Sequence, residues 1–261
     1  MKEKSTMNDN AQAVKNALLQ ARTQHQQRDS GDSGLHLNGI QEAYAVQWAM
    51  GQALDWWQDG VPRYWKAGTP STAGPVTCAP LPDAGVWASP ADARACPMHA
   101  RGIEAEIALR LKAPVTVQQA RDLDVDAARQ LVDAMCVAIE LVDFRWQQGM
   151  QAPDWLKLAD LQSHGALVLG DWVPYAPRDW SQQTCHTQVG LQPLVRMQGT
   201  HSLGDPTLLL PQWLRHATQQ AGTLPAASLV TTGTWVGLLL GQPGDSVCVQ
   251  FDGIGQASVQ L

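Results

Sequence analysis

The stretch "RGIEAEIALRL", residues 101–111, sets two carboxylates one residue apart inside an otherwise apolar run. In a helix, positions i and i+2 point to different sides, and Glu104 and Glu106 would diverge. In a strand, side chains alternate with period two, so the pair projects from one face. Ile103, Ala105 and Ile107 then cover the other face, and the charges of Arg110 and Lys112 mark the end of the element. A strand with an apolar back and an acidic front has two readings. It is the solvated face of an edge strand, or it is a pair of oxygen ligands turned into a cleft.

A second acid-bearing apolar run, "AIELVDFR" (138–145), contains Glu140. Taken alone, Glu140 pairs with a neighbour such as Arg145. Taken with Glu104 and Glu106, it completes a group of three carboxylates that would repel one another in a buried site unless a cation neutralised them. Hard oxygen ligands suit Mg²⁺ or Mn²⁺, and magnesium binds oxygen at about 2.0–2.1 Å while keeping positions open for water or a ligand.

The chain around these runs has 261 residues, room for one large domain or two modest ones. Its hydrophobic content of 44% and charged content of 16% fit a globular protein with a large core. A formal net charge of −6, with no Lys/Arg block or basic stripe, argues against nucleic-acid binding. No apolar run has transmembrane length, and no apolar segment follows the polar start "MKEKSTMNDNAQ". Five scattered cysteines suit a reduced, cytoplasmic protein better than a disulfide framework. The metal-like spacing of "CPMH" (96–99) has no second pair and reads as coincidence. Eleven tryptophans line a core, a cleft or a subunit contact, and composition does not say which.

Residues 7–28 carry Val14, Leu18 and Leu19 at helical spacing, and 38–60 repeat apolar residues at three and four, with Gly51 unfavourable inside that helix. Loops and short strands occupy 61–100. Residues 124–135 read as a helix capped by Asp124 or Asp126, with Asp133 badly placed near its end. Strands are expected over 137–146, 165–175, 227–237, 246–251 and 257–261, with "DGIG" (252–255) as a hairpin turn. Asp205 caps a helix within 204–222, where Pro211 predicts a kink or a later start. The sum is an α+β fold: a helical N-terminal region over 1–62 and a β-rich body over 63–261, forming one functional unit.

Several segments in order resemble the 2-hydroxypenta-2,4-dienoate (2-keto-4-pentenoate) hydratase family of the fumarylacetoacetate hydrolase superfamily. "IEAEIALRL" and "AIELVDFR" are similar to its two acidic strands. "EAYAVQ" (42–47), "WKAGTPS" (65–71), "PDAGVW" (82–87), "LADLQSHGALVLG" (158–170), "LGDPTLLLPQWL" (203–214), "TTGTW" (231–235) and the closing "PGDSVCVQFDGIGQASVQL" extend the likeness over most of the chain. The resemblance implies a mixed β-roll or sandwich and a divalent-metal-dependent hydratase that converts a 2-hydroxy-2,4-dienoate to a 4-hydroxy-2-oxo acid.

Carried over residue by residue, the resemblance makes Glu104, Glu106 and Glu140 the ligands of Mg²⁺ or Mn²⁺. Lys66 pairs with the substrate carboxylate, or shuttles a proton if desolvation lowers its pKa. Asp83 is a general acid/base or a partner for Lys66. Ser163 lies in the pocket, and Asp160 supports or contacts the substrate. It also implies a small 2-oxo or 2-hydroxydienoic acid as ligand, a homo-oligomer, and a complex with a downstream aldolase or decarboxylase. Leu161 departs from the family's usual Asn, and Phe144 stands where the D-S-R run has Ser. Alternative activities are decarboxylation of a 4-oxalocrotonate-type acid and C–C hydrolysis of an acylpyruvate, for which His99 is the place to seek a base. A non-enzymatic subunit that stabilises a decarboxylase is a further alternative, against which the intact acids and Lys66 count.

Overall fold

The computed structural model describes residues 7–69 and 74–261. Pro70 and Ser71 of the "WKAGTPS" loop therefore lie outside the described residues, as do residues 1–6 of the polar N-terminal start. The helices are α1 (Asp9–Gln24), α2 (Ile40–Ala53), α3 (Val117–Ala120), α4 (Val125–Arg129), α5 (Asp154–Ala159) and α6 (Leu210–Ala221). The strands are β1 (Tyr64–Gly68), β2 (Thr77–Pro80), β3 (Val86–Ala88), β4 (Ala91–Asp92), β5 (Gly102–Leu111), β6 (Val132–Val142) and β7 (His164–Leu169). They continue as β8 (Val173–Pro174), β9 (Thr184–Val189), β10 (Val195–Gln198), β11 (Leu229–Thr231), β12 (Leu239–Leu240), β13 (Ser246–Phe251) and β14 (Gly255–Gln260). The α+β expectation matches this architecture.

Asn8 starts α1 by accepting the Ala11 N–H at 2.9 Å. The helix buries Val14 and Leu18 against α2 and α5 in a cluster that includes Tyr44, Val46, Met50, Trp146 and Leu156. Gly51 has a packing reason. The Trp57 ring lies so close to α2 that a Cβ on Gly51 would sit 2.2 Å from it.

The larger sheet runs β2-β1-β11-β5-β6-β7-β3, with β12 also paired to β5 and β8 to β6. The smaller sheet runs β10-β9-β13-β14-β4. Strand β5 therefore lies inside a sheet, which removes the edge-strand reading of its acids. Its back face, Ile103, Ala105, Ile107 and Leu109, joins Val247, Val249, Phe251 and Val259 of the smaller sheet and Trp213 and Leu214 of α6 in the main core. Trp65, Trp146, Trp213 and Trp235 are among the largest fully buried side chains, which assigns much of the tryptophan content to the interior. No helix among the described residues is long and apolar enough to cross a membrane.

The structure corrects the helix expected over 124–135. Asp124 does cap it, accepting the Ala127 N–H at 2.8 Å, but α4 has only 5 residues and β6 already begins at Val132. The pairing of β6 with β5 overrides the helical spacing there. Asp133 is consequently on a strand, where both its oxygens take the Arg110 guanidinium, at 3.0 and 2.7 Å. The later start predicted from Pro211 is seen: Pro206–Leu209 form a 3₁₀ turn capped by Asp205, and Pro211 sits in the first turn of α6. Strands β9 and β10 fall in a segment to which the sequence analysis gave no element. Thr184, His186 and Thr187 in β9 weaken the apolar alternation that marks a strand.

Candidate active site

The register of β5 on β6 places Glu104 directly opposite Glu140 and sets Glu106 opposite Ala138, one step along the same face. One carboxylate oxygen from each of the three lies within 4.8 Å of the others. Glu106 and Glu140 are fully buried, and Glu104 is partly so. The N–H of Gly233, in the loop after β11, donates to Glu106 Oε2 at 2.9 Å. Glu140 Oε1 accepts from Lys66 Nζ at 2.5 Å and meets His164 Nδ1 at 3.0 Å. Among the described residues, Glu140 Oε2 is buried with no hydrogen-bond partner.

Burial and the neighbouring acids push the Glu106 carboxyl up to about 8. Burial, with repulsion from Glu140, raises Glu104 to about 7, against the attraction of Lys66. Burial also pushes Glu140 upward, but Lys66 and His164 outweigh it and hold this carboxyl below its ordinary value. Like charges directly opposite on paired strands are destabilising, and burial makes them more so. An orphaned oxygen on Glu140, beside two acids pushed toward protonation, is the donor set that a hard divalent cation satisfies.

Lys66 reaches this group because the larger sheet is curled. The loop before β7 touches β2 through a hydrogen bond from the Gln162 side chain to Thr77 Oγ1. The Gln162 carbonyl accepts a second bond from Lys66 Nζ at 3.3 Å. Burial lowers the lysine's pKa, but Glu140, Glu104 and Glu106 together outweigh burial and raise it. With the three carboxylates uncompensated, the ammonium form of Lys66 is favoured.

Ser163 is buried at the end of a run in which Leu161, Gln162 and Ser163 all have left-handed φ values of 54°, 55° and 62°. Such backbone costs roughly 1–2 kcal/mol per residue for L-amino acids and persists only where its surroundings enforce it. The enforcing contacts are on both sides. The Ser163 carbonyl accepts the Asp143 N–H at 2.9 Å. Asp160 takes Arg145 Nε on both oxygens at 2.8 Å and Arg22 Nη2 at 2.9 Å. Leu161 thus occupies a conformation that the family's usual Asn tolerates better.

Asp160 is fully buried, and both its oxygens are engaged by Arg145, with Arg22 on one of them. Arg145 is committed to Asp160 and Asp143, which removes the Glu140–Arg145 pair. Asp83 and Lys66 make no ion pair among the described residues. Asp83 Oδ2 accepts the Gln58 N–H at 2.9 Å, and its Oδ1 is buried without a partner among the described residues. The His99 side chain is exposed, and its backbone N–H donates to Asp143 at 2.8 Å. Cys96 and His99 belong to no group of three potential metal ligands among the described residues.

Two further residues of this region, His164 and Arg22, carry no motif in the sequence. His164 is fully buried, and burial keeps its imidazole below its ordinary value, against the pull of Glu140. Its only signal in sequence is a polar residue opening the apolar run "HGALVL". Arg22 contacts Asp160 across 138 positions of chain, a separation that leaves no local trace.

The family model "Fumarylacetoacetate (FAA) hydrolase C-terminal" matches residues 38–261. No curated protein sequence matches the chain. Among solved structures, 4-oxalocrotonate decarboxylase from Pseudomonas putida G7, complexed with magnesium and adipate, is similar over 96% of both chains, at TM-score 0.81 and 18% identity. A 2-hydroxyhepta-2,4-diene-1,7-dioate isomerase from Mycobacterium marinum matches 77% of this chain and 74% of its own, at TM-score 0.54 and 18% identity. Fumarylpyruvate hydrolase from Pseudomonas aeruginosa, in complex with Mn²⁺ and pyruvate, matches 77% of this chain and 89% of its own, at TM-score 0.53 and 15% identity. At these identities the likenesses speak to fold, and the isomerase and hydrolase share less of it than the decarboxylase does. With the family model spanning nearly the whole chain and the three acids on paired strands, this protein belongs to the fumarylacetoacetate hydrolase C-terminal family.

Proposed function

We propose that the protein is a divalent-metal-dependent lyase that hydrates a 2-hydroxy-2,4-dienoate to a 4-hydroxy-2-oxo acid. The observation that carries this reading is the triad of Glu104, Glu106 and Glu140, with Glu140 Oε2 unpartnered beside a charged Lys66. Magnesium or manganese held by the three glutamates would supply Lewis-acid stabilisation of charge on the substrate's 2-oxygen. Structural neighbours complexed with magnesium and with Mn²⁺ support that choice of ion.

The chain's own groups do the rest. Lys66 presents a fixed positive charge to the substrate carboxylate and to the enolate charge that develops during proton transfer. Ser163, held by the left-handed run, offers its hydroxyl to orient the substrate. Asp83 keeps one oxygen, Oδ1, uncommitted and is the candidate to move a proton. Asp160 acts through the loop it anchors.

A second reading is decarboxylation of a 2-oxo-3-ene-dioate. It is supported by the likeness over 96% of both chains to a 4-oxalocrotonate decarboxylase. It also needs no base for water, and His164 and Asp160 are already committed to protein partners.

The test is to supply freshly generated 2-hydroxypenta-2,4-dienoate with Mg²⁺ or Mn²⁺ and follow the dienol absorbance. Metal-dependent loss in the wild type, abolished in a folded Glu106→Gln variant, is the expected result. No loss of absorbance, with CO₂ released from 4-oxalocrotonate, moves the assignment to the decarboxylase. Inactivity on both substrates in the metal-loaded protein rejects both.

A further inference from the structure

His164 belongs to none of the residues carried over from the family, and the direction of its ring needs an explanation. Strands β6 and β7 pair regularly from Ala138↔Leu169 to Leu141↔Ala166. The register then slips, so that His164 opposes Val142. On an unbroken strand His164 would share a face with Ala166 and point away from Glu140, because side chains alternate. The slip puts one extra residue, Gly165, into β7 and turns His164 to the face that carries Glu140. Gly165 fits only because it lacks a side chain. A Cβ there would lie 2.7 Å from the Leu141 carbonyl oxygen and 3.2 Å from Asp143 Cβ.

The result is a fully buried imidazole whose Nδ1 lies 3.0 Å from Glu140 Oε1, the oxygen that Lys66 holds at 2.5 Å. Among the described residues, both partners of Glu140 thus sit on one oxygen, and Oε2 has none. Lys66 alone does not fix that carboxylate, since an ammonium on a flexible four-carbon stem follows its partner through many orientations. A ring mounted directly on a strand does not.

We infer that His164 is a positioning residue: by donating Nδ1–H to Glu140 Oε1 it fixes the rotation of the Glu140 carboxylate and leaves Oε2 as the oxygen for the divalent cation. The inference rests on the reading of Glu104, Glu106 and Glu140 as metal ligands. It assigns to the bulge at Gly165 the task of delivering the ring. Outer partners of this kind change metal affinity by about 10–100-fold when removed.

The test is Mn²⁺ titration calorimetry on the full chain in the wild type, His164→Asn and His164→Leu, with circular dichroism and thermal melts to establish folding. Asparagine keeps an N–H close to the position of Nδ1, while leucine fills the space without a donor. Leu is expected to weaken Mn²⁺ binding by about 10–100-fold and Asn to stay near the wild type. If the leucine variant does not fold, His164→Gln replaces it, because its N–H falls nearer Nε2 and the same loss is expected. Wild-type affinity in the donor-less variant, or equal loss in Asn and Leu, overturns the positioning role while the metal site stands. No Mn²⁺ binding by the wild type overturns the metal site, and this inference with it.

Discussion

Glu104 and Glu140 face each other across the antiparallel pair β5–β6, two acids in direct register inside a nine-stranded sheet. Opposed like charges cost roughly 0.2–1 kcal/mol even on exposed sheet. Replacing Glu104 by Gln removes that repulsion and one ligand together. At pH 8, without metal, Glu104→Gln is expected to melt about 1–4 °C above the wild type. Its Mn²⁺ affinity should fall by at least the roughly 100-fold at the top of the range for lost outer partners. A lower melting point with unchanged Mn²⁺ binding counts against the triad.

Metal-free stability should fall as pH rises through neutrality. Glu104 and Glu106 are raised to about 7 and about 8 from an ordinary 4.5, so between those values the folded protein holds more protons than the unfolded chain. Stability then decreases with pH across that window. Glu140 works in the other direction: held below its ordinary value, it contributes stability that is lost as pH drops through its folded pKa. Thermal melts from pH 5 to 8.5 in chelator should show a decline that runs up to about pH 8 and then levels, and Mn²⁺ should raise the melting point most at the alkaline end. A flat profile contradicts the buried acids.

Lys66→Met keeps the stem and removes the charge. Glu140 then loses its nearest cation, and breaking a buried pair in this way costs on the order of 3–5 kcal/mol. Added Mn²⁺ should recover most of that loss, because a cation returns to the acids. Turnover should fall by roughly 10²-fold or more even at saturating metal, as for loss of one group that stabilises developing negative charge. Calorimetry and initial rates on the same preparation separate the two effects, and full activity in the variant removes Lys66 from the chemistry.

Asp160→Asn tests whether that carboxylate is a brace or a substrate contact. Loss of its charge leaves Arg145 and Arg22 buried without their shared partner, a destabilisation of about 3–5 kcal/mol. Urea unfolding should show this. In the fraction that remains folded, KM should be unchanged. A raised KM at wild-type stability would return Asp160 to the substrate.

The acid-bearing strands were legible because a period-two pattern states its own face assignment: Ile103, Ala105 and Ile107 went to the core as alternation requires. The helix starts at Asp124 and Asp205 were legible through capping chemistry and the first helix through its apolar spacing, both of which are local. What stayed hidden depends on distance or on register. A β-bulge reverses the face of His164 without changing the composition around it. The brace on Asp160 joins residues 138 positions apart, Arg22 in α1 and Asp160 after α5, and α4 stops early because β6 pairs with β5. Period and propensity record none of these, since each is decided by a partner strand or helix elsewhere in the chain.

The Arg22–Asp160 contact reaches beyond the boundary at which the family match begins. A fragment cut at residue 38 for expression would discard α1 and leave a fully buried carboxylate with one guanidinium instead of two. It would also bare the face of α2 and α5 that Val14 and Leu18 cover. Shortened versions made for crystallisation or library screening should therefore start upstream of Asp9, or carry a replacement for that helix.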